Sequence, residues 1–200
     1  MLLSFTDIYD GRAFTNFWCT YIFIIYGTCF LSKTMCYEGN YIDGLMVHKE
    51  NIKSLLFAKY YIYSAMLIFP LILIIPTVIV GKNSILMLLS VMFFTFGPVY
   101  SLLLTIGIFN KQTIPLNEKF IGKTGIENNY MQIILQLAAF SIPIIILTLL
   151  QIVFNNNTAY LIFMLIGLVF VFTHRLWINS IYKSMMKKRY ENLAGFRASK

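Results

Sequence analysis

Charged residues make up only 12% of this 200-residue chain, about half the roughly 25% of an ordinary globular domain. With 58% hydrophobic residues, 18 Phe and 13 Tyr among them, too little polar side chain remains to wet a surface of this size. That excludes a soluble domain and points to a membrane. Cysteine is equally thin, with three residues and no Cys-x-x-Cys pair. Along one helix Cys19 and Cys29 would lie about 15 Å apart, and Cys29 and Cys36 about 10 Å, beyond disulfide reach unless the helix ends between them. Neither zinc nor thiol redox chemistry is indicated. The first ten residues lack a basic stretch and carry only a short apolar patch, which is not the pattern of a secretory signal.

Catalytic machinery is missing too. There is no His-Glu-x-x-His, no Gly-x-Ser-x-Gly and no pair of carboxylates inside an apolar run, so an intramembrane protease or lipid hydrolase has nothing to work with. Gly122-Lys123-Thr124 looks like the end of a phosphate-binding loop, but Asn117 stands where that motif requires its first glycine. His48 and His174 are far apart in the chain, each without a second ligand type nearby. No metal, cofactor or catalytic residue is therefore expected. His174 reads as an interfacial residue at the end of the last apolar run.

What the chain does have is long apolar stretches. Five are near or above the roughly 20 residues that a helix needs to cross a hydrocarbon core of about 30 Å: residues 13–31, 61–80, 84–109, 130–154 and 158–178. The expected fold is all-α, a single polytopic transmembrane domain over residues 1–200 with about five spans and a basic tail over 179–200. The third run would be about 39 Å long if straight. Gly97-Pro98 inside it predicts a kink or break, because proline removes one internal hydrogen bond.

Fourteen of the sixteen Lys and Arg fall between runs one and two, between three and four, or at the end of the fifth and beyond it; only Arg12 and Lys82 lie on the other side. The positive-inside rule then puts the two long loops and the C-terminus in the cytoplasm and the N-terminus outside. The net charge of +8 is thus an orientation signal. It favours anionic lipid as neighbour of the tail rather than nucleic acid.

In the first of those loops, residues 32–60, Ile42, Leu45 and Met46, and then Ile52, Leu55, Leu56 and Lys59, fall at helical spacing. This predicts one or two short amphipathic helices, broken near Gly44, at the membrane surface or against a partner. Trp177, Ile178, Ile181, Tyr182 and Met185 form a similar stripe on a basic helix continuing out of the fifth run to about Gly195.

Glu38-Gly39-Asn40-Tyr41-Ile42-Asp43-Gly44-Leu45-Met46, followed by Ile52-Lys53-Ser54-Leu55-Leu56-Phe57-Ala58-Lys59-Tyr60, resembles the coupling region of type-2, exporter-class ABC transporter permeases. There an acidic residue, a glycine-containing stretch, a hydrophobic pair and a downstream lysine precede the next span. The Pro115-Leu116-Asn117 loop and the ending through Lys188-Arg189-Tyr190 to Gly195-Phe196-Arg197 are similar to a bacterial branch of that superfamily. The resemblance covers nearly the whole chain. It implies a permease subunit in the bacterial plasma (inner) membrane, driven by a separate ATP-binding subunit that docks on loop 38–59. In that loop Glu38 and Asp43 would make polar contacts, Leu45 and Met46 would be the apolar anchor, Gly44 would break the backbone, and Lys59 would close the motif. Family members carry an interfacial helix and one further span before the first one here. The chain is accordingly expected to be the C-terminal part of a permease, working with its N-terminal portion or with a second permease copy.

The residues alone leave other readings open. Glu38 and Asp43 also read as solvated loop charges, and Lys59 as a lysine snorkelling to the membrane edge. A non-transporting scaffold or assembly protein fits the same spans. An ion-coupled carrier fits less well, because such proteins hold ionisable residues within their spans, and the runs here carry none before His174 and Arg175.

Overall fold

In hydrocarbon each backbone N–H and C=O must find its partner inside its own segment, so the apolar runs fold as helices. The computed structural model describes residues 11–109 and 130–198, and contains no strand among them. The Pro115-Leu116-Asn117 loop and the Gly122-Lys123-Thr124 stretch lie outside the described residues.

Helix α1 (Arg12–Phe30) passes through a 3₁₀ turn (Leu31–Lys33) into α2 (Thr34–Glu38). A second 3₁₀ turn (Gly39–Tyr41) leads to α3 (Ile42–Val47). After a break at His48 come α4 (Lys49–Met66) and α5 (Ile68–Ile79), then α6 (Ile85–Phe94), a π-helical turn (Thr95–Val99) and α7 (Tyr100–Phe109). The remainder is α8 (Tyr130–Val153), α9 (Asn156–Phe172), α10 (His174–Lys187) and α11 (Arg189–Ala198). Segments Phe14–Val47, Asn51–Ile79, Ile85–Ile108 and Gln136–Val153 are each long and apolar enough to cross a membrane. The pair α9 and α10, bent by 59°, makes a fifth. The chain is an all-α, multi-pass membrane protein.

The core lies where these helices cross. Its tightest point joins α9 to the third span, at Gly97 and Gly167. A Cβ on Gly167 would stand 2.6 Å from the backbone of Phe93 and Phe94, and one on Gly97 would stand 2.7 Å from the Gly167 carbonyl oxygen. Only glycine lets two backbones approach so closely, the small-residue packing that membranes favour where lipid supplies no hydrophobic drive. The kink expected at Gly97-Pro98 takes the form of the π turn, which widens the helix by one residue where Pro98 cannot donate to the carbonyl of Phe94. At the α5–α6 hairpin Gly81 takes a positive φ of 78°. The amides of Gly81 and Lys82 donate to the carbonyls of Val78 and Thr77, the glycine-dependent closure of a helix C-terminus.

Three expectations are corrected. First, the backbone break lies at His48 (φ −98°, ψ 78°), not at Gly44, which is helical and open on its Cβ side. In one uninterrupted helix Met46 and Ile52 would sit about 120° apart around the axis; breaking at His48 turns both, with Ile42 and Leu56, into the same core. Second, the downstream piece is no surface helix. It runs on as α4 into the second span, and its regular hydrogen bonding is interrupted only at Leu67, one turn before Pro70, whose ring excludes the carbonyl at Met66 from a regular turn. Third, the fifth run is not one straight helix: α9 ends at Phe172 and α10 carries it on from His174 at an angle. The Thr173 hydroxyl donates to Val169 O, the His174 ring bonds Val171 O, and Trp177 Nε1 donates to Phe170 O. These side chains take up the last carbonyls of α9, and α10 leaves at 59°.

Candidate docking platform at the basic end of the bundle

Length alone requires something to project from the membrane. Segment Phe14–Val47 has 34 residues and Asn51–Ile79 has 29, about 51 Å and 44 Å as straight helices against a core of about 30 Å. The excess gathers at one end of the bundle, where α2 and α10 pack on α7, α3 and α10 on α4, and α11 on α3. Exposed side chains mark where hydrocarbon gives way to water. On α4 they change from Tyr61 and Ile62 to Lys53 and Ser54, and on α10 from Leu176 to Lys183 and Lys187.

Beyond that level the segments keep their own core. Ile42, Ile52, Leu56 and Phe196 are fully buried, and Met46 and Met185 nearly so. The tight approach of Gly107 to the Leu31 carbonyl ties α7 to the 3₁₀ turn. On this foundation α3 presents a short outward face. Tyr41 is 59% and Val47 75% exposed, Gly44 and His48 are open beside them, and nothing lies within 4 Å of a Cβ built on Gly44.

The six residues singled out in the sequence fall into two groups. Lys59 Nζ lies 2.8 Å from Glu38 Oε1 and donates to the Thr34 carbonyl oxygen at 2.9 Å. Both side chains are mostly buried, at 14% and 28% exposed, so the pair pins the end of α2 to α4. Asp43 meets Arg197, whose Nη2 and Nε donate to Asp43 Oδ1 at 2.9 and 3.2 Å. That pair joins α3 to α11 on the open surface. Neither carboxylate is a bare solvated charge. Met46 is buried and Leu45 half-buried against the core, so the expected apolar anchor faces inward, and the outward apolar residues are Tyr41 and Val47. Helical phase explains the exchange: Tyr41 is five positions from Met46 and Val47 five from Ile42, about 140° around the axis.

Two contacts escaped the sequence reading. Arg197 is 154 positions from its partner, and no local spacing announces such a pair. His174 sits where α4 meets the α9–α10 bend. Its Nδ1 is 2.8 Å from the Val171 carbonyl oxygen, to which it donates, and its Nε2 is hydrogen-bonded to the Tyr61 hydroxyl, also 2.8 Å away. Tyr60 stacks on the same ring. The sequence places it near the end of the last apolar run, but the contact to α4 does not follow from that.

Away from the platform the spans hold uncharged polar groups. Asn16 Nδ2 donates to Gln151 Oε1, and Gln151 Nε2 to the Tyr160 hydroxyl. Among the described residues no group of three or more His, Cys, Asp or Glu could hold a metal ion.

The chain belongs to a family of unknown function (DUF5687), whose model matches residues 1–199. No curated protein and no solved structure matches it.

Proposed function

We propose that this chain is a permease subunit of a type-2 ABC exporter in the bacterial inner membrane, and that a separate ATP-binding subunit docks on α3. The observation that carries the reading is the outward face of α3. It is a projecting, braced patch with Tyr41 and Val47 exposed in water, a position that costs solubility unless a partner covers it. The fourteen-to-two distribution of Lys and Arg supports a cytoplasmic position for this end and an outside N-terminus, with the exposed Lys183, Lys187 and Lys188 facing anionic head groups. Hydrolysis then belongs to the partner. The permease contributes movement, for which the coupling element must hold different contacts in two states of the bundle. The N-terminal portion of a permease, or a second permease copy, would complete the path.

The test is affinity purification of the tagged chain from its native membrane in mild detergent, with ATP hydrolysis measured and the co-purifying chains sequenced. A chain carrying a complete phosphate-binding loop, released by Val47→Asp with Tyr41→Asp while the variant still inserts, supports the reading. Purification without any such chain, or undiminished capture by the double variant, removes it.

A further inference from the structure

Helix α3 has six residues, about half the roughly 12 below which a helix does not hold together by its own hydrogen bonds. It is interrupted at both ends, by the 3₁₀ turn before it and by the break at His48, so its position is set by what packs against it. From inside, Ile42 and Met46, one turn apart, seat it in the core. The second support is α11.

After α10 the chain turns back toward α3. Lys188 leaves helical geometry (φ −102°, ψ 20°) and its amide donates to the Met185 carbonyl. The side-chain amide of Asn192, itself buried, donates to that same carbonyl. Asn192 and Phe196, four positions apart, then share one face of α11, with Phe196 fully buried and Leu193 packed on the core beside them. The next residue, Arg197, donates from Nη2 and Nε to Asp43 on α3. Around the α3 axis Asp43 lies about 100° from Ile42, and Val47 about 40° beyond Asp43. The flank that α11 holds therefore adjoins the outward face, and Asp43 and Val47 are neighbours one turn apart.

We infer that α11 is the brace that positions α3: Phe196 seats α11, and Arg197 fixes the register of α3 through Asp43. Both are positioning residues. The buried ring supplies most of the hold, whereas the ion pair, open to water, supplies direction more than strength. The consequence for docking rests on the ATPase reading; the brace itself does not.

Hydrogen–deuterium exchange of the full chain in mild detergent tests it, followed in the peptide covering residues 39–48, with a peptide from α9 as the control for folding. Phe196→Ala should raise exchange in 39–48 about tenfold, as a local unit loses its buried tie, and leave α9 unchanged. Exchange in 39–48 at the parent rate would overturn the brace. Asp43→Arg and Arg197→Asp, each alone, set like charges face to face and should raise exchange about two- to fivefold. The double variant restores opposite charges and should return it to the parent rate; these surface variants decide the matter if α9 also loosens in Phe196→Ala. A double variant no slower than the singles would overturn the role of the pair. In affinity capture from the native membrane, Phe196→Ala should retain about a tenth of the ATP-binding chain. If the parent captures no such chain, the ATPase reading falls and the exchange result still decides the brace. Undiminished capture by a variant whose 39–48 peptide exchanges faster would show that the brace does not position the docking face.

Discussion

Two pairs of residues with similar chemistry have unequal weight because of where they sit. Lys59 and Glu38 are shielded, and Lys59 also satisfies a backbone carbonyl, so removing it leaves a partly desolvated carboxylate without its cation. Lys59→Met should cost about 1–3 kcal/mol. Arg197 and Asp43 are 67% and 46% exposed, screened by water and salt, and Arg197→Ala should cost less than about 1 kcal/mol. Reversible unfolding in mixed micelles, read by circular dichroism, checks the ordering. A larger loss from Arg197→Ala would show the weights to be reversed. Glycines divide in the same way. At Gly167 an added Cβ meets backbone on α6 that cannot yield, so Gly167→Ala should destabilise by about 1–3 kcal/mol. At Gly44 nothing is in the way, and Gly44→Ala, in mid-helix, should stabilise by about 0.5–1 kcal/mol. A destabilised Gly44→Ala would restore that residue as the point where the loop breaks.

At the scale of elements, the membrane runs were legible because one constraint dominates them: apolar side chains outside and every backbone group paired within. The expected 130–154 became Tyr130–Val153, and the kink at Gly97-Pro98 lies inside the π turn. What could not be read were the joints. The break at His48 and the bend at Thr173 involve no proline or glycine; they follow from which face must turn inward and which side chains cap the carbonyls. The α9–α10 bend is the clearest case, because three side chains hold it. Replacing Thr173 by Val, His174 by Leu and Trp177 by Phe should let the helix straighten. Spin labels at Leu161 and Lys187 would then move about 5 Å further apart in a pulsed dipolar measurement, the difference between a straight helix and one bent by 59°. An unchanged distance would mean that packing of α10 on α4 and α7, and not the caps, sets the angle.

For the whole molecule, charge asymmetry and the length of the segments converge on one picture: a bundle with a thin end at the α5–α6 hairpin, where Lys82 and Arg12 are the basic residues, and a projecting, strongly basic platform opposite. The candidate site was only half legible in the sequence. The loop stood out by composition, but the structure exchanges its expected inward and outward faces. Leu45 and Met46 were the obvious apolar pair, and only the packing of α3 against α4 and α11 turns Met46 in and leaves Tyr41 and Val47 out. Topology is tested separately. With Cys29 changed to Ser, an impermeant maleimide applied to intact cells should label Asn83→Cys and spare Lys187→Cys; labelling of Lys187→Cys would invert the orientation and remove the platform from the cytoplasm.

The most direct measurement is photo-crosslinking in the native membrane, with a benzophenone side chain placed at Val47 on the platform or at Ile152, which is equally exposed at the opposite end of the bundle. The account predicts an adduct between position 47 and a chain that carries a phosphate-binding loop, and none from position 152. A platform that crosslinks only to lipid, while the ATP-binding chain is captured elsewhere or nowhere, would contradict it.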